Sequence, residues 1–406
     1  MGTASFEGFG LRVVVASDKF KGTLTSAEVA EAVGAGVQRV CPDATVISVP
    51  VADGGDGTLS AAVAAGYTPF PVTASGPTGE LVRTSYARRG KTAVVELADV
   101  SGLVRLPGGR PAPLTATSYG TGEVIAAAVD AGCTRIILGI GGSASTDGGR
   151  GLIEALGGRL FGNNSALRDE KLPKTGGSLP LATLRRRLEG VQIMVACDVD
   201  NPLTGPRGAA AVYGPQKGAT QEQVLQLDAA LSEWADLVAR ETGADLRNVP
   251  GAGAAGGVGF AAIALLGAEL RPGIDLMLEL VRFSEQLSGA DLVVTGEGAL
   301  DEQTLHGKAV AGVAAAVRAL ASPTHRPTSA GVTTTQSEVP VVAVCGVNRL
   351  SPEQLKEIGV AAAYALTDVE PDVRRCIAEP RPLLEELGER IAVEHLTMTR
   401  RERGIA

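Results

Sequence analysis

Five short segments concentrate the residue types that handle phosphate, divalent metal and hydroxyl protons. The first, Val13-Val-Val-Ala-Ser17-Asp18-Lys19-Phe20-Lys21-Gly22-Thr23, ends a β-branched run with one carboxylate and two ammonium groups. Backbone N–H groups at the helix start that follows, with Lys21 beside them, would form an anion site. The second, Asp53-Gly54-Gly55-Asp56-Gly57-Thr58, carries glycines that let backbone amides approach a phosphate without Cβ obstruction. Its two Asp could hold Mg²⁺ or accept a hydroxyl proton. The third, Gly139-Ile-Gly141-Gly142-Ser143-Ala-Ser145-Thr146-Asp147-Gly148-Gly149, offers hydroxyls and open amides suited to a polyphosphate or a hydroxy acid.

The fourth segment, Cys197-Asp198-Val-Asp200-Asn201-Pro202, places acids and an amide at a strand end, and Lys217 downstream offers a cation close to a helix start. Such oxygen ligands suit Mg²⁺, which keeps most of its waters and needs only one or two carboxylates. In the fifth, Thr295-Gly-Glu297-Gly-Ala-Leu-Asp301-Glu-Gln-Thr-Leu-His306-Gly-Lys308, Glu297, Asp301 and Lys308 could bind metal, substrate hydroxyls and carboxylate respectively. Each segment also reads as an ordinary capped turn between a strand and a helix. Two familiar signals fail. Gly251-Ala-Gly253-Ala-Ala-Gly256 matches GxGxxG, but Arg247–Pro250 precedes it where a dinucleotide fold needs a strand, so close packing of a small-residue helix explains it better. No Walker A motif is present, because position 85 is Ser and position 302 is Glu where that motif needs Gly.

Composition narrows the classes further. Lys+Arg 37 against Asp+Glu 45 gives a net charge of −8, so there is no basic field for a nucleic-acid backbone. Five widely spaced Cys without a CxxC pair argue against a disulfide framework and for a reducing compartment. Three His with no ligand spacing make a His-built metal site improbable. The N-terminus shows no basic region followed by an apolar one, and no apolar run reaches the length of a membrane span. A soluble cytoplasmic protein without membrane partners is expected.

The elements that must position these residues alternate in type. β-branched runs at Arg12–Ala16, Thr45–Val51, Arg135–Ile140, Val191–Ala196, Asp291–Thr295, Val339–Val344 and Ala361–Leu366 read as buried strands separated by helical patterns, the signature of βαβ units. Most run into Gly or Asp, where α/β sheets place ligands. Val29, Val33, Val37 and Val40 share one face of a helix over 28–40. Thr220-Gln-Glu-Gln223 and Ser351-Pro352-Glu-Gln354 read as helix starts, closed by Gly243 and Gly359. Arg83–Arg89 and Thr92–Leu97 look like an antiparallel pair joined at Arg89-Gly90-Lys91. The segment Ser322–Glu338, rich in Ser, Thr and Pro, reads as a mobile and dispensable surface loop.

In this order, the stretches SDKFKGTLTSAEVA, PVADGGDGT, SYGTGEVI, GIGGSASTDGGRG, CDVDNPLTGPRGAAAVYGPQKGAT, GAGAAGGVGF and TGEGALDEQTLHGKA resemble the glycerate kinase family, which includes the bacterial glycerate 2-kinases. They span Ser17 to Ala309. The resemblance implies a two-domain α/β kinase that transfers the ATP γ-phosphoryl group to D-glycerate with Mg²⁺, usually giving 2-phosphoglycerate. Departures are small. Asp18-Lys19 stands where members often show Asp-Ser, Asp56 where Glu is common, and Lys19 could alter hydroxy-acid preference.

Phosphoryl transfer asks a protein mainly for positioning and charge neutralisation. For that reaction Asp53 is the first choice of proton acceptor and Asp18 the second, with Lys21 as a catalytic cation. Lys19, Ser143, Asp301 and Lys308 are assigned to substrate, and Gly54, Gly55, Asp56, Gly57, Thr58, Gly141, Gly142 and Lys217 to the nucleotide. Asp198 and Glu297 are assigned to the metal. A flavodoxin-like domain with a parallel sheet is expected from residues 1–51 with 273–406, and a mixed α/β domain inserted over 52–272. The active site would lie in the cleft between them. The alternatives are a kinase of another small hydroxy acid, a 3-phosphoglycerate-forming enzyme, an NAD(P)-dependent oxidoreductase or a hydroxy-acid sensor. A homodimer is left open.

Overall fold

β-branched runs that stop at Gly or Asp become strands, and the residues just beyond them become loops. The computed structural model describes residues 10–52, 54–158, 181–306, 308–321 and 339–397. Asp53 and the expected loop over 322–338 therefore lie outside the described residues. The chain divides into two compact units, Met1–Asp53 with Met277–Ala406, and Gly54–Leu276.

Numbered along the chain, β1 (Arg12–Ser17) and β2 (Thr45–Ser48) belong to the first unit. β3 (Thr68–Ser75), β4 (Leu81–Arg89), β5 (Thr92–Glu96), β6 (Arg135–Gly139), β7 (Gln192–Ala196) and β8 (Glu269–Arg271) form the second. β9 (Leu292–Leu300), β10 (Val341–Asn348) and β11 (Ala362–Ala365) return to the first.

The first unit's sheet runs β11-β10-β9-β1-β2, with every pair parallel. Counted in the order the strands enter that sheet, this is 2-1-3-4-5, the flavodoxin-like order. Val13, Val15, Leu292, Val294, Val342 and Val344 are buried together with the valine face of the helix Ser26–Val40. β9 extends past the expected Thr295 to Leu300, because β10 keeps pairing with it as far as Asn348 opposite Leu300. Gly296-Glu297-Gly298 is thereby held in a strand rather than a loop.

The second unit's sheet runs β3-β4-β5-β6-β7-β8. β3, β4 and β5 pair antiparallel, and β5 through β8 pair parallel. β3 was not expected from sequence, because Pro69 and Pro71 break its pattern. An edge strand tolerates them since one of its sides needs no N–H donors. The helix Gln221–Thr242 starts at the Thr220/Gln223 capping box and buries Leu227, Leu231, Trp234 and Val238. It stops at Gly243, whose φ of 79° is left-handed.

Candidate active site

In each unit the chemistry-bearing segments collect at the carboxyl ends of parallel strands. In the first unit the strand order reverses between β1 and β9, the switch point where open α/β sheets bind ligands. Asp18 N–H donates to Gly296 O at 2.8 Å, and Lys19 N–H donates to Asp18 Oδ1 at 2.7 Å. Lys21 is exposed. A Cβ on Gly298 would come 3.7 Å from Lys21 N, so the 18–21 turn and the end of β9 lie side by side. The helix start expected to serve as an anion site is partly occupied by its own cap. Thr25 and Glu28 close a capping box there, with Glu28 Oε2 accepting from Thr25 N–H at 2.8 Å.

Glu297 is buried, and the Thr304 hydroxyl donates to its Oε1. Asp301 Oδ1 accepts from Gln303 N–H at 2.9 Å, and Lys308 Nζ donates to Gln303 Oε1 at 2.5 Å. Asp18, Lys19, Lys21, Glu297, Asp301 and Lys308 thus share one end of one sheet.

In the second unit the loops after β6 and β7 meet the Gly-rich turn. A Cβ on Gly54 (φ 84°) would lie 2.4 Å from Ala196 Cβ, and one on Gly141 would lie 2.5 Å from Gly55 Cα. These two glycines are needed for loop-to-loop contact, whatever ligand the loops hold. The phosphate cradle expected at Gly57 and Thr58 is largely occupied. Glu96, at the end of β5 and 6% exposed, accepts from Gly57 N–H at 3.1 Å and Leu59 N–H at 2.8 Å. The fully buried Thr58 hydroxyl donates to Gly55 O at 2.7 Å. Beside this turn is a cavity of about 490 Å³ lined by Asp56, Ser60, Ser85, Glu96 and Asp99. Its acidic wall suits hydroxyl or amino groups better than phosphate. Sequence reasoning missed Glu96, although a lone acid ending an apolar strand run was the available signal.

Burial, with Asp56 and Asp99 adding to it, raises the Glu96 carboxyl above the ordinary carboxylate range despite the two N–H donors. The folded chain therefore binds this proton more tightly than the unfolded chain does. Its contribution to stability is greatest below about pH 4.5 and falls as pH rises through the folded value. Glu96→Ala is expected to cost about 1–2 kcal/mol in denaturant unfolding, as for loss of a helix cap. The gap to wild type should narrow as pH rises, and a gap that widens instead would contradict this burial-dominated account.

Asp147 ties the loops together. Its Oδ2 accepts from Ser118 N–H and Ser118 Oγ, both at 2.8 Å, and its Oδ1 accepts from Gly149 N–H at 3.0 Å. Lys217, expected as a cation close to a helix start, lies just ahead of the helix Gln221–Thr242 with its side chain buried. It is 2% exposed, and its Nζ donates to Ser143 Oγ at 2.8 Å and Ser145 O at 2.6 Å. Burial pulls its ammonium down to about 7, opposed by Asp147. The GxGxxG stretch packs against this same loop. Gly148 N–H donates to Gly256 O at 2.9 Å, and a Cβ on Gly256 would lie 2.1 Å from Ser145 O.

Asp198 is exposed just beyond β7, with Oδ1 accepting from Gly273 N–H at 2.8 Å. Glu297, the other expected metal ligand, belongs to the other unit. No group of three His, Cys, Asp or Glu able to hold a metal occurs among the described residues. An exposed carboxylate at a strand end still fits Mg²⁺ carried on a nucleotide, since that ion takes one or two protein carboxylates and completes its shell with phosphate and water.

The sequence profile of the glycerate kinase family matches residues 13–396. A glycerate kinase of Bacillus subtilis is 41% identical over 365 residues, covering 88% of this chain and 90% of that relative. The glycerate 2-kinase of Escherichia coli K12 is 44% identical over 313 residues, covering 75% and 81% respectively. A crystal structure of a protein assigned as glycerate kinase 2 from Salmonella typhimurium LT2 superposes with a TM-score of 0.78 at 37% identity, covering 97% of this chain and 100% of that one.

Proposed function

The chain belongs to the glycerate kinase family, phosphotransferases that phosphorylate glycerate, and from that premise we propose that it transfers the ATP γ-phosphoryl group to the 2-hydroxyl of D-glycerate. The observation that carries this reading is the collection of the family's motif segments at the carboxyl ends of parallel strands in each unit. Asp198, with Glu297 as a further candidate, would hold Mg²⁺, which on the nucleotide neutralises phosphate charge and orients the γ-phosphoryl group. Lys21, exposed at the β1 end, and Lys19 beside it add cationic charge against the chain's net −8. Asp53, outside the described residues, and Asp18 are the proposed acceptors of the hydroxyl proton. Asp301 and Lys308 are proposed to bind glycerate, and Gly54, Gly55, Asp56, Gly141 and Gly142 to shape the nucleotide loop.

Among the described residues no helix is long and apolar enough to cross a membrane, and the five cysteines are free thiols. Both features support a cytoplasmic setting. The test is phosphorus NMR of the product formed from D-glycerate, ATP and Mg²⁺. Signals of ADP and 2-phosphoglycerate are expected, EDTA should abolish turnover, and Mn²⁺ should partly restore it. Full activity in chelator would remove the metal from this reading, and a 3-phosphoglycerate signal would move the acceptor to the other hydroxyl.

A further inference from the structure

We infer that Lys217, with the hydroxyls of Ser143, Ser145 and Thr146, forms the pocket that receives the carboxylate of the hydroxy-acid substrate. The inference rests on the glycerate kinase reading above and deepens it, because it moves Lys217 from the nucleotide to the acid.

Lys217 carries a buried charge that the fold leaves unbalanced. An ammonium group has three donors, and Lys217 spends two of them on neutral acceptors, Ser143 Oγ and Ser145 O. The nearby acid cannot serve as a full partner. Asp147 is already engaged by Thr117, Ser118, Gly149 and Gly151. A buried cation without a carboxylate bonded to it is costly unless an anion arrives.

The same loop leaves two more groups waiting. Ser145 Oγ and Thr146 Oγ1 are buried and have no hydrogen-bond partner. Buried hydroxyls are normally satisfied, so two neighbouring exceptions beside a buried cation call for a ligand. The loop is also rigidly held. Ser143 bridges to Gly102, Ala144 N–H donates to Ser101 O at 3.0 Å, and Gly256 packs directly under Ser145 O. Such preorganisation lowers the cost of binding.

Charge selects the ligand. One cation with neutral hydroxyls matches a singly charged carboxylate that bears hydroxyl groups of its own. A phosphate group carries more negative charge than a single Lys can balance in a buried site.

Binding then has a proton signature. Asp147 is the charged group that bears on Lys217, and burial holds the free ammonium near 7. A bound carboxylate favours the charged form and raises it. Above that value Lys217 without the acid is largely neutral, so glycerate must bring a proton in with it.

The test begins with wild-type turnover of D-glycerate, followed by calorimetric titration of D-glycerate at pH about 8 in buffers of different ionisation enthalpy. The expected result is net proton uptake approaching one per glycerate, shrinking towards pH about 6. Lys217→Met should abolish the uptake and raise KM for glycerate at least about tenfold, with KM for ATP unchanged. Because Lys217→Met could fail to fold, Ser145→Ala and Thr146→Val provide a second route. Each removes an unbonded hydroxyl, so stability should hold or rise while KM for glycerate rises several-fold. Proton uptake that persists in Lys217→Met, or an unchanged glycerate KM in all three variants, would overturn the inference while leaving the kinase reading intact. Uptake driven by inorganic phosphate and not by glycerate would also overturn it. Absence of any wild-type turnover would overturn both.

Discussion

Asp198→Asn is expected to lower kcat by about a hundredfold or more while shifting the melting temperature by no more than about 4 °C. The geometry separates the two effects. Asp198 is exposed, and its Oδ1 accepts a backbone bond from Gly273 N–H at 2.8 Å. Asparagine keeps a carbonyl oxygen for that bond and nearly the same volume, so the local fold retains its tie. What it loses is the negative charge, and a hard divalent cation depends on charge as well as on an oxygen. If the residue helps hold Mg²⁺ on the nucleotide, the loss should be concentrated in the chemical step and softened by high Mg²⁺. A variant that melts early yet keeps its kcat when folded would reduce Asp198 to a turn residue. A variant with wild-type rate and stability would remove it from the site.

Gly256→Ala is expected to destabilise the second unit by about 2–5 kcal/mol, the sum of left-handed strain and overpacking. At this position φ is 69°, and the new Cβ would fall 2.1 Å from the backbone oxygen of Ser145. A backbone atom cannot rotate away as a side chain does. Relief must displace the loop 143–149, with the Lys217, Asp147 and Trp234 contacts anchored on it. Activity should fall with stability, since the same loop carries Ser143. Gly267→Ala is the control, because φ there is 62° but nothing lies within 4 Å of the added Cβ. It should cost only the strain of about 1–2 kcal/mol. Chemical denaturation of both variants checks the difference, and equal losses would show that crowding at Gly256 is absorbed by the loop.

Much of this protein was legible because its signals are local. Alternating β-branched runs and capped helices specify βαβ units, and a capping box such as Thr220 to Gln223 is closed by residues three apart. The Gly-rich and acid-rich segments identified a kinase family before any geometry, since their order along the chain is itself sequence information. β3 escaped notice because its prolines are acceptable only at a sheet edge, and edge position is a property of the sheet.

The roles of individual residues were decided by tertiary structure. Nothing near Gly57 in the chain announces that Glu96 will occupy its amide, for those residues meet only when β5 packs beside the turn. Nothing near Lys217 announces burial against Ser143, 74 residues away. Sequence by itself determined which elements form and which residue types reach the strand ends, because backbone propensity and periodicity act over a few residues. Which donors are already taken, which hydroxyls remain unbonded and which cation is desolvated depends on long-range packing, and hydrogen bonding and burial exist only once those distant segments are in contact.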